Sequence, residues 1–161
     1  MFNKRNIFTG IFTALGAYIL FRKLNNIMFK LYYSCTLYSK ERNISFVGYL
    51  DTGNFIKSIN GEDVIIVHSK IINEILNTNL SFTLEDYNDY LFIYNNLPLS
   101  VRNDLTYTFY TTTDKKNILP ILRFDKIILE NNKYKKIIYN PCIGILDIDL
   151  SEALLPVSII K

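Results

Sequence analysis

From residue 29 onward, apolar and polar side chains take turns along the chain. Phe29, Leu31, Tyr33, Cys35 and Leu37 alternate with Lys30, Tyr32, Ser34, Thr36 and Tyr38, the period of two expected of a strand with one buried face. Lys40-Glu41-Arg42-Asn43 reads as a polar turn, and residues 44–50 return as the partner strand, so the first hairpin delivers its last apolar residue to Asp51. Asn60-Gly61 marks the next turn, ahead of the continuous apolar run Val64-Ile65-Ile66-Val67, which His68 ends. A more helical stretch follows. Ser69 is placed to cap a helix with Ile71, Ile72, Ile75 and Leu76 at helical spacing, and Thr83 to start another that runs towards Asn95-Asn96 before Pro98. Glu85, Asp86 and Asp89 read as the solvated face of that second helix. Strand character resumes over residues 105–113 and, after the polar tip Asp114-Lys115-Lys116-Asn117, over 118–122, 126–129 and 135–139. Pro141-Cys142-Ile143-Gly144-Ile145-Leu146 is a core strand, and Ser151-Glu152-Ala153-Leu154-Leu155 a short capped helix. These patterns predict a mainly β domain with small helices.

The first 26 residues differ. Residues 7–21 are apolar or small throughout, bracketed by Lys4-Arg5 and Arg22-Lys23. As a helix at about 1.5 Å per residue this run spans roughly 22 Å, short of the ~30 Å hydrocarbon core. Snorkelling of the flanking cations closes part of the gap. A signal peptide fits poorly, because two cations stand where a small-residue cleavage site belongs. The expectation is an N-terminal hydrophobic helix over residues 1–26 that serves as a membrane anchor, with a soluble core helix as the alternative, then a domain over residues 27–161. With Lys30 and Lys40 following, the positive-inside rule favours a cytoplasmic domain.

Composition narrows the chemistry. With 49% hydrophobic and 20% charged residues among 161, the chain is globular and sized for one domain plus a short extra element. A net charge of +3 is too small to argue for nucleic acid, and Lys133-Tyr134-Lys135-Lys136 reads as a solvated strand edge. Two cysteines and one histidine cannot build a zinc site, so neither metal nor cofactor is expected. Cys35 and Cys142 are expected as buried free thiols. No Gly-x-Ser-x-Gly, P-loop or dinucleotide fingerprint occurs.

What remains is Asp51-Thr52-Gly53-Asn54 at the end of Phe46-Val47-Gly48-Tyr49-Leu50. A strand that carries Asp-Thr-Gly into a tight turn is how aspartic proteases present half of a catalytic dyad. The carboxylate can share a proton with a second carboxylate and so activate water. The Thr hydroxyl can reach across a dimer axis, and the Gly permits a close backbone approach. A second mark is expected near the C-terminus, where a strand containing Gly144 passes beside the Asp-Thr-Gly loop and the glycine gives clearance.

Taken with Val64-Ile65-Ile66-Val67, with Leu122-Arg123-Phe124-Asp125-Lys126-Ile127-Ile128-Leu129, with Gly144 and with the ending Ala153-Leu154-Leu155-Pro156, this block resembles the sporulation sigma-E factor-processing peptidases (stage II sporulation protein GA). The resemblance covers roughly residues 28–161. It implies a retropepsin-like lobe, closed and barrel-like, and a membrane-bound aspartic endopeptidase that removes the propeptide of a precursor sigma factor on the mother-cell side of the septum. It also implies Asp51 as the catalytic aspartate. One Asp-Thr-Gly in a chain this short implies a homodimer with Asp51 facing Asp51. The hairpin around Thr111-Thr112-Thr113-Asp114 lacks the glycines usual in a mobile flap. The alternative is a catalytically silent module of the same fold that holds a peptide without cutting it.

Overall fold

Alternation in the first strand sets the register of everything built on it. In β1 (Tyr32–Ser39), Tyr33, Cys35 and Leu37 are buried while Tyr32 and Ser34 face solvent. The computed structural model describes residues 16–20, 31–40, 42–111, 116–148 and 152–160. On one side β1 pairs antiparallel with β2 (Arg42–Asp51), and on the other with β6 (Lys126–Asn131), which pairs in turn with β7 (Tyr134–Tyr139). The far edge of β2 is taken by a late segment, β9 (Ala153–Pro156), running parallel to it. Then come β3 (Val64–Val67), antiparallel to β9, and β8 (Cys142–Ile145), parallel to β3. Next stands β5 (Lys116–Arg123), with β4 (Thr106–Thr111) outermost. One nine-stranded sheet results, in the order β4-β5-β8-β3-β9-β2-β1-β6-β7.

The mainly β class with short helices stands, but the closed barrel does not. The sheet is a curled half-barrel whose edge strands, β4 and β7, do not pair with each other among the described residues. No residue of β7 is fully buried, its exposed positions being Lys135, Ile137 and Tyr139, so little apolar surface there calls for closure.

Among the described residues, four helices accompany the sheet: α1 (Ser69–Leu76), α2 (Tyr87–Asn96), α3 (Leu99–Arg102) and α4 (Val157–Ile160). The apolar set expected for α1, Ile71, Ile72, Ile75 and Leu76, is the set it buries. Its cap lies one residue earlier than Ser69. His68 Nδ1 accepts from the Lys70 amide at 3.1 Å, while Ser69 Oγ turns to the Asp147 carboxylate. The second helix begins at Tyr87 rather than near Thr83, because Leu84 is engaged in a bridge to Ile118 and Asp86 supplies the cap. Asp86 and Asp89 form a reciprocal capping box, which satisfies amides that the first turn would leave unpaired. They therefore act as a cap rather than as a merely solvated face. Residues 153–155, expected to be helical, lie in β9, where strands on both sides accept them, and the helix is deferred to Val157.

Glu152 staples this junction. Its carboxylate accepts from the Val47 amide of β2 at 2.7 Å, and its carbonyl accepts from the His68 amide at 2.9 Å. The main core gathers Leu37, Ile65, Ile72, Ile93, Leu122 and Ile127 between sheet and helices, and a smaller one joins Val64, Leu119, Ile121 and Cys142. At roughly 1.5–3 kcal/mol per fully buried aliphatic side chain, these clusters supply the framework that holds β2 rigid. Both cysteines are buried and free. Burial pushes the Cys35 thiol up to about 12 and raises that of Cys142.

Residues 1–31 form a separate unit, of which residues 16–20 are helical and exposed. Among the described residues no helix is long and apolar enough to cross a membrane. Most of the anchor expected over residues 7–21, and the hairpin tip at residues 112–115, lie outside the described residues.

Candidate active site

The parallel pairing of β2 with β9 runs Gly48 against Ala153, Leu50 against Leu155 and Asp51 against Pro156. Asp51 is thus the last residue of a strand that pairs with β1 as far as Tyr49 and with β9 through Asp51 itself, where a side chain is aimed more sharply than on a free loop. Thr52 and Gly53 make the turn and are exposed. The Gly53 amide donates to Asp51 Oδ1 at 2.8 Å, and the Asn54 amide donates to the Asp51 carbonyl at 3.3 Å. A Cβ on Gly53 would stand 3.3 Å from Asp51 Oδ1, tighter than an ordinary contact, which is one reason for glycine here. Asp51 Oδ2 has no hydrogen-bond partner among the described residues, and no other described carboxylate bonds to Asp51.

Asn54, at 6% exposure, is one of two buried polar residues in the described structure. Beyond it the chain projects as a small ladder. Lys57 bridges Asp63, the Ser58 amide donates to the Glu62 carbonyl at 2.9 Å, and Gly61 takes φ +81°, which favours glycine. Thr108 Oγ1 in β4 donates to the Lys57 carbonyl at 2.7 Å. Between this ladder and α4 lies a cleft of about 420 Å³, lined by Thr52, Asn54, Phe55, Asp63 and Val157. Phe55 stands at its rim, 79% exposed.

Other aspartates lie away from this turn. Asp125 accepts from the Lys40 amide, Asp147 from Ser69, and Asp104 follows α3; Asp149 lies outside the described residues. Gly144 is not in the strand that flanks the loop. It sits in β8 between β3 and β5, and a Cβ there would meet Leu119 Cδ2 at 2.7 Å and Val64 Cγ1 at 2.8 Å. The clearance it gives serves the smaller core. The strand beside Asp51 is β9.

Two carboxylates that sequence reading passed over brace the ladder. Burial acts to raise the Asp63 pKa, but hydrogen bonds from Lys57 and Ser158 outweigh it and hold the carboxyl below its ordinary range. The Arg123 guanidinium beside Glu62 lowers that carboxyl too. A carboxyl depressed in the folded state contributes stability above its unfolded pKa and loses it as pH falls through the folded value. Both pairs are partly exposed, so each contribution is screened. The urea midpoint is expected to hold from pH 7 to 5 and to drop once pH passes below about 4.5 and then 3.8, the unperturbed values of the two groups. A Glu62→Gln, Asp63→Asn double variant should start lower and fall less over that window, and an identical slope would rule these two groups out as its source.

Against known proteins, the model of the family described as sporulation factor SpoIIGA (Peptidase_U4) matches residues 5–154. No curated protein and no solved structure matches the chain. The matched span takes in β2, the Asp51 turn and the start of β9. The chain belongs to the sporulation factor SpoIIGA family of peptidases.

Proposed function

We propose that this chain is an aspartic endopeptidase whose water-activating pair consists of Asp51 from each of two subunits, and that its substrate is a precursor of a sporulation sigma factor. The observation that carries the reading is the state of Asp51. It ends a strand paired through Asp51 with β9, one carboxylate oxygen is held by the Gly53 amide at 2.8 Å, and the other has no partner among the described residues. A second Asp51 brought onto a two-fold axis would face this one, and two carboxylates so close share one proton.

The ionised carboxylate takes a proton from water as the oxygen attacks the scissile carbonyl, and the protonated one donates to the carbonyl oxygen. Collapse of the tetrahedral intermediate breaks the C–N bond, with the proton passing to the leaving amine. The exposed Thr52 hydroxyls brace the two turns across the axis. Phe55 and the adjoining cleft offer apolar surface for a peptide flank.

Asp51→Asn keeps the shape but cannot cycle a proton, so it should abolish processing, while Thr52→Ser should retain it. Co-expression with the sigma factor precursor of the same genome, read by gel shift, tests both. Undiminished cleavage by Asp51→Asn would end the aspartic assignment, and a wild type that binds the precursor without cutting it would favour a silent binding module.

The same reading places the protein at the membrane through residues 7–21, with the peptidase domain on the cytoplasmic, mother-cell side. Full-length protein should then resist alkaline carbonate washing, and deletion of residues 1–26 should release it. Release of the full chain by carbonate would remove the anchor from the proposal.

A further inference from the structure

The Gly53 amide steers the Asp51 carboxylate, yet the turn that holds this amide is exposed at Thr52 and Gly53. Its anchor is the next residue. Asn54 Nδ2 donates to the Val64 carbonyl of β3 at 3.1 Å and to the Leu154 carbonyl of β9 at 3.3 Å, and Oδ1 accepts from the Ile56 amide at 3.2 Å. One carboxamide thereby joins the turn to the strand beside Asp51, to the strand beyond it and to the chain that leaves the turn. Both of its N–H groups and its oxygen are engaged, as a polar group this deeply buried requires.

We infer that Asn54 is the positioning residue of the site: its side chain clamps the turn against β3 and β9 and thereby fixes the direction in which Asp51 faces. This rests on reading Asp51 as the catalytic aspartate. The clamp needs two donors and one acceptor from a single short side chain. Alanine supplies none, serine is too short for both strands, and an ionised aspartate turns negative oxygen towards the two carbonyls.

Asn54→Asp therefore offers a discriminating test. Burial and the facing carbonyls of Val64 and Leu154 raise the pKa of the introduced carboxyl. Once protonated, its O–H donates to one of those carbonyls while its other oxygen keeps the Ile56 amide. The charged groups around it are Asp51 in the same turn and, across the cleft, Asp63 and Lys57, which are paired with each other. An ionised carboxyl at position 54 also repels Asp51, a loss that Asn54→Ala does not carry, so the alanine variant separates the clamp from charge repulsion.

The measurement is kcat and KM of the full chain in detergent on the sigma factor precursor from pH 5 to 8, per folded molecule, with the folded fraction taken from melting curves. Misplacing a catalytic group by about 1 Å costs on the order of 100-fold. At pH 8 kcat of Asn54→Asp is expected about 100-fold below wild type with KM within about twofold, and the ratio should climb at least tenfold towards pH 5. Asn54→Ala should be low at every pH. Wild-type turnover by Asn54→Asp at pH 8, or a ratio that stays flat with pH, overturns the assignment. Wild-type turnover per folded molecule of Asn54→Ala overturns it as well, whether or not Asn54→Asp folds at pH 8. Asp51→Asn separates the two readings. An inert Asp51→Asn beside a fully active Asn54→Asp sinks the clamp alone, whereas an active Asp51→Asn sinks the catalytic reading and the clamp with it.

Discussion

Activity should fall as the square of the wild-type fraction when wild-type and Asp51→Asn chains are mixed at constant total protein. In the proposed dimer each site needs one carboxylate from each chain, so a mixed dimer holds one Asp and one Asn and has no proton pair to cycle. At an equal mixture about a quarter of the activity survives, if chains exchange freely and the two-fold arrangement holds. Positioned proton transfer contributes on the order of 10²–10⁴-fold to rate, so the residual activity of mixed dimers is negligible beside that quarter. Dilution in detergent should also lower specific activity, whereas membrane anchoring would keep the effective concentration high. A linear fall, with a monomer by analytical ultracentrifugation, would reject the shared site.

The second large effect concerns the strand that carries Asp51. Gly48 pairs with Tyr33 on one side and Ala153 on the other, and a Cβ there would stand 2.7 Å from Cys35 Sγ and 3.0 Å from Leu155 Cδ1. Alanine ordinarily gains about 0.5–1 kcal/mol over glycine in a strand, but overpacking a core costs about 1–3 kcal/mol. At 2.7 Å the second term wins. Gly48→Ala should therefore lower Tm by roughly 4–8 °C, taking a net loss of about 1–2 kcal/mol. Because the nearest obstacle is the thiol, adding Cys35→Ala should restore part of the loss, so that the double variant is more stable than the two single changes sum to. Strict additivity would locate the strain at Leu155 instead.

The parts of this fold that were legible in sequence are those set by neighbours a few residues away. The first hairpin, the Asn60-Gly61 turn, the apolar run of β3 and the buried face of α1 all follow from local periodicity. The elements misread have distant partners. Four residues of β9 are too few to show a period, and what makes them a strand is pairing with β2, about a hundred residues earlier. Gly144 reads equally well beside the Asp51 turn or under Leu119, and only the strand order decides. Asn54 was noticed as part of the Asp-Thr-Gly block, but its role was illegible because its partners are backbone carbonyls, which any residue could have supplied. His68 displaced Ser69 as a cap because Asp147, 78 residues on, claimed the hydroxyl.

The parallel seam between β2 and β9 also dictates when the site can exist. Until residues 153–156 are in place, one edge of β2 has unpaired backbone groups and the turn after Asp51 lacks the Leu154 carbonyl that holds it. Closing a loop of that length comes late in folding, since its entropy must be lost before the contact rewards it. During synthesis the earlier strands therefore emerge with Asp51 unset, and the Asp51 turn is completed only when nearly all of the described domain has been made. On the proposed reading of Asp51, a chain assembled in this order would be silent while nascent, held back by its topology as well as by the need for a second subunit.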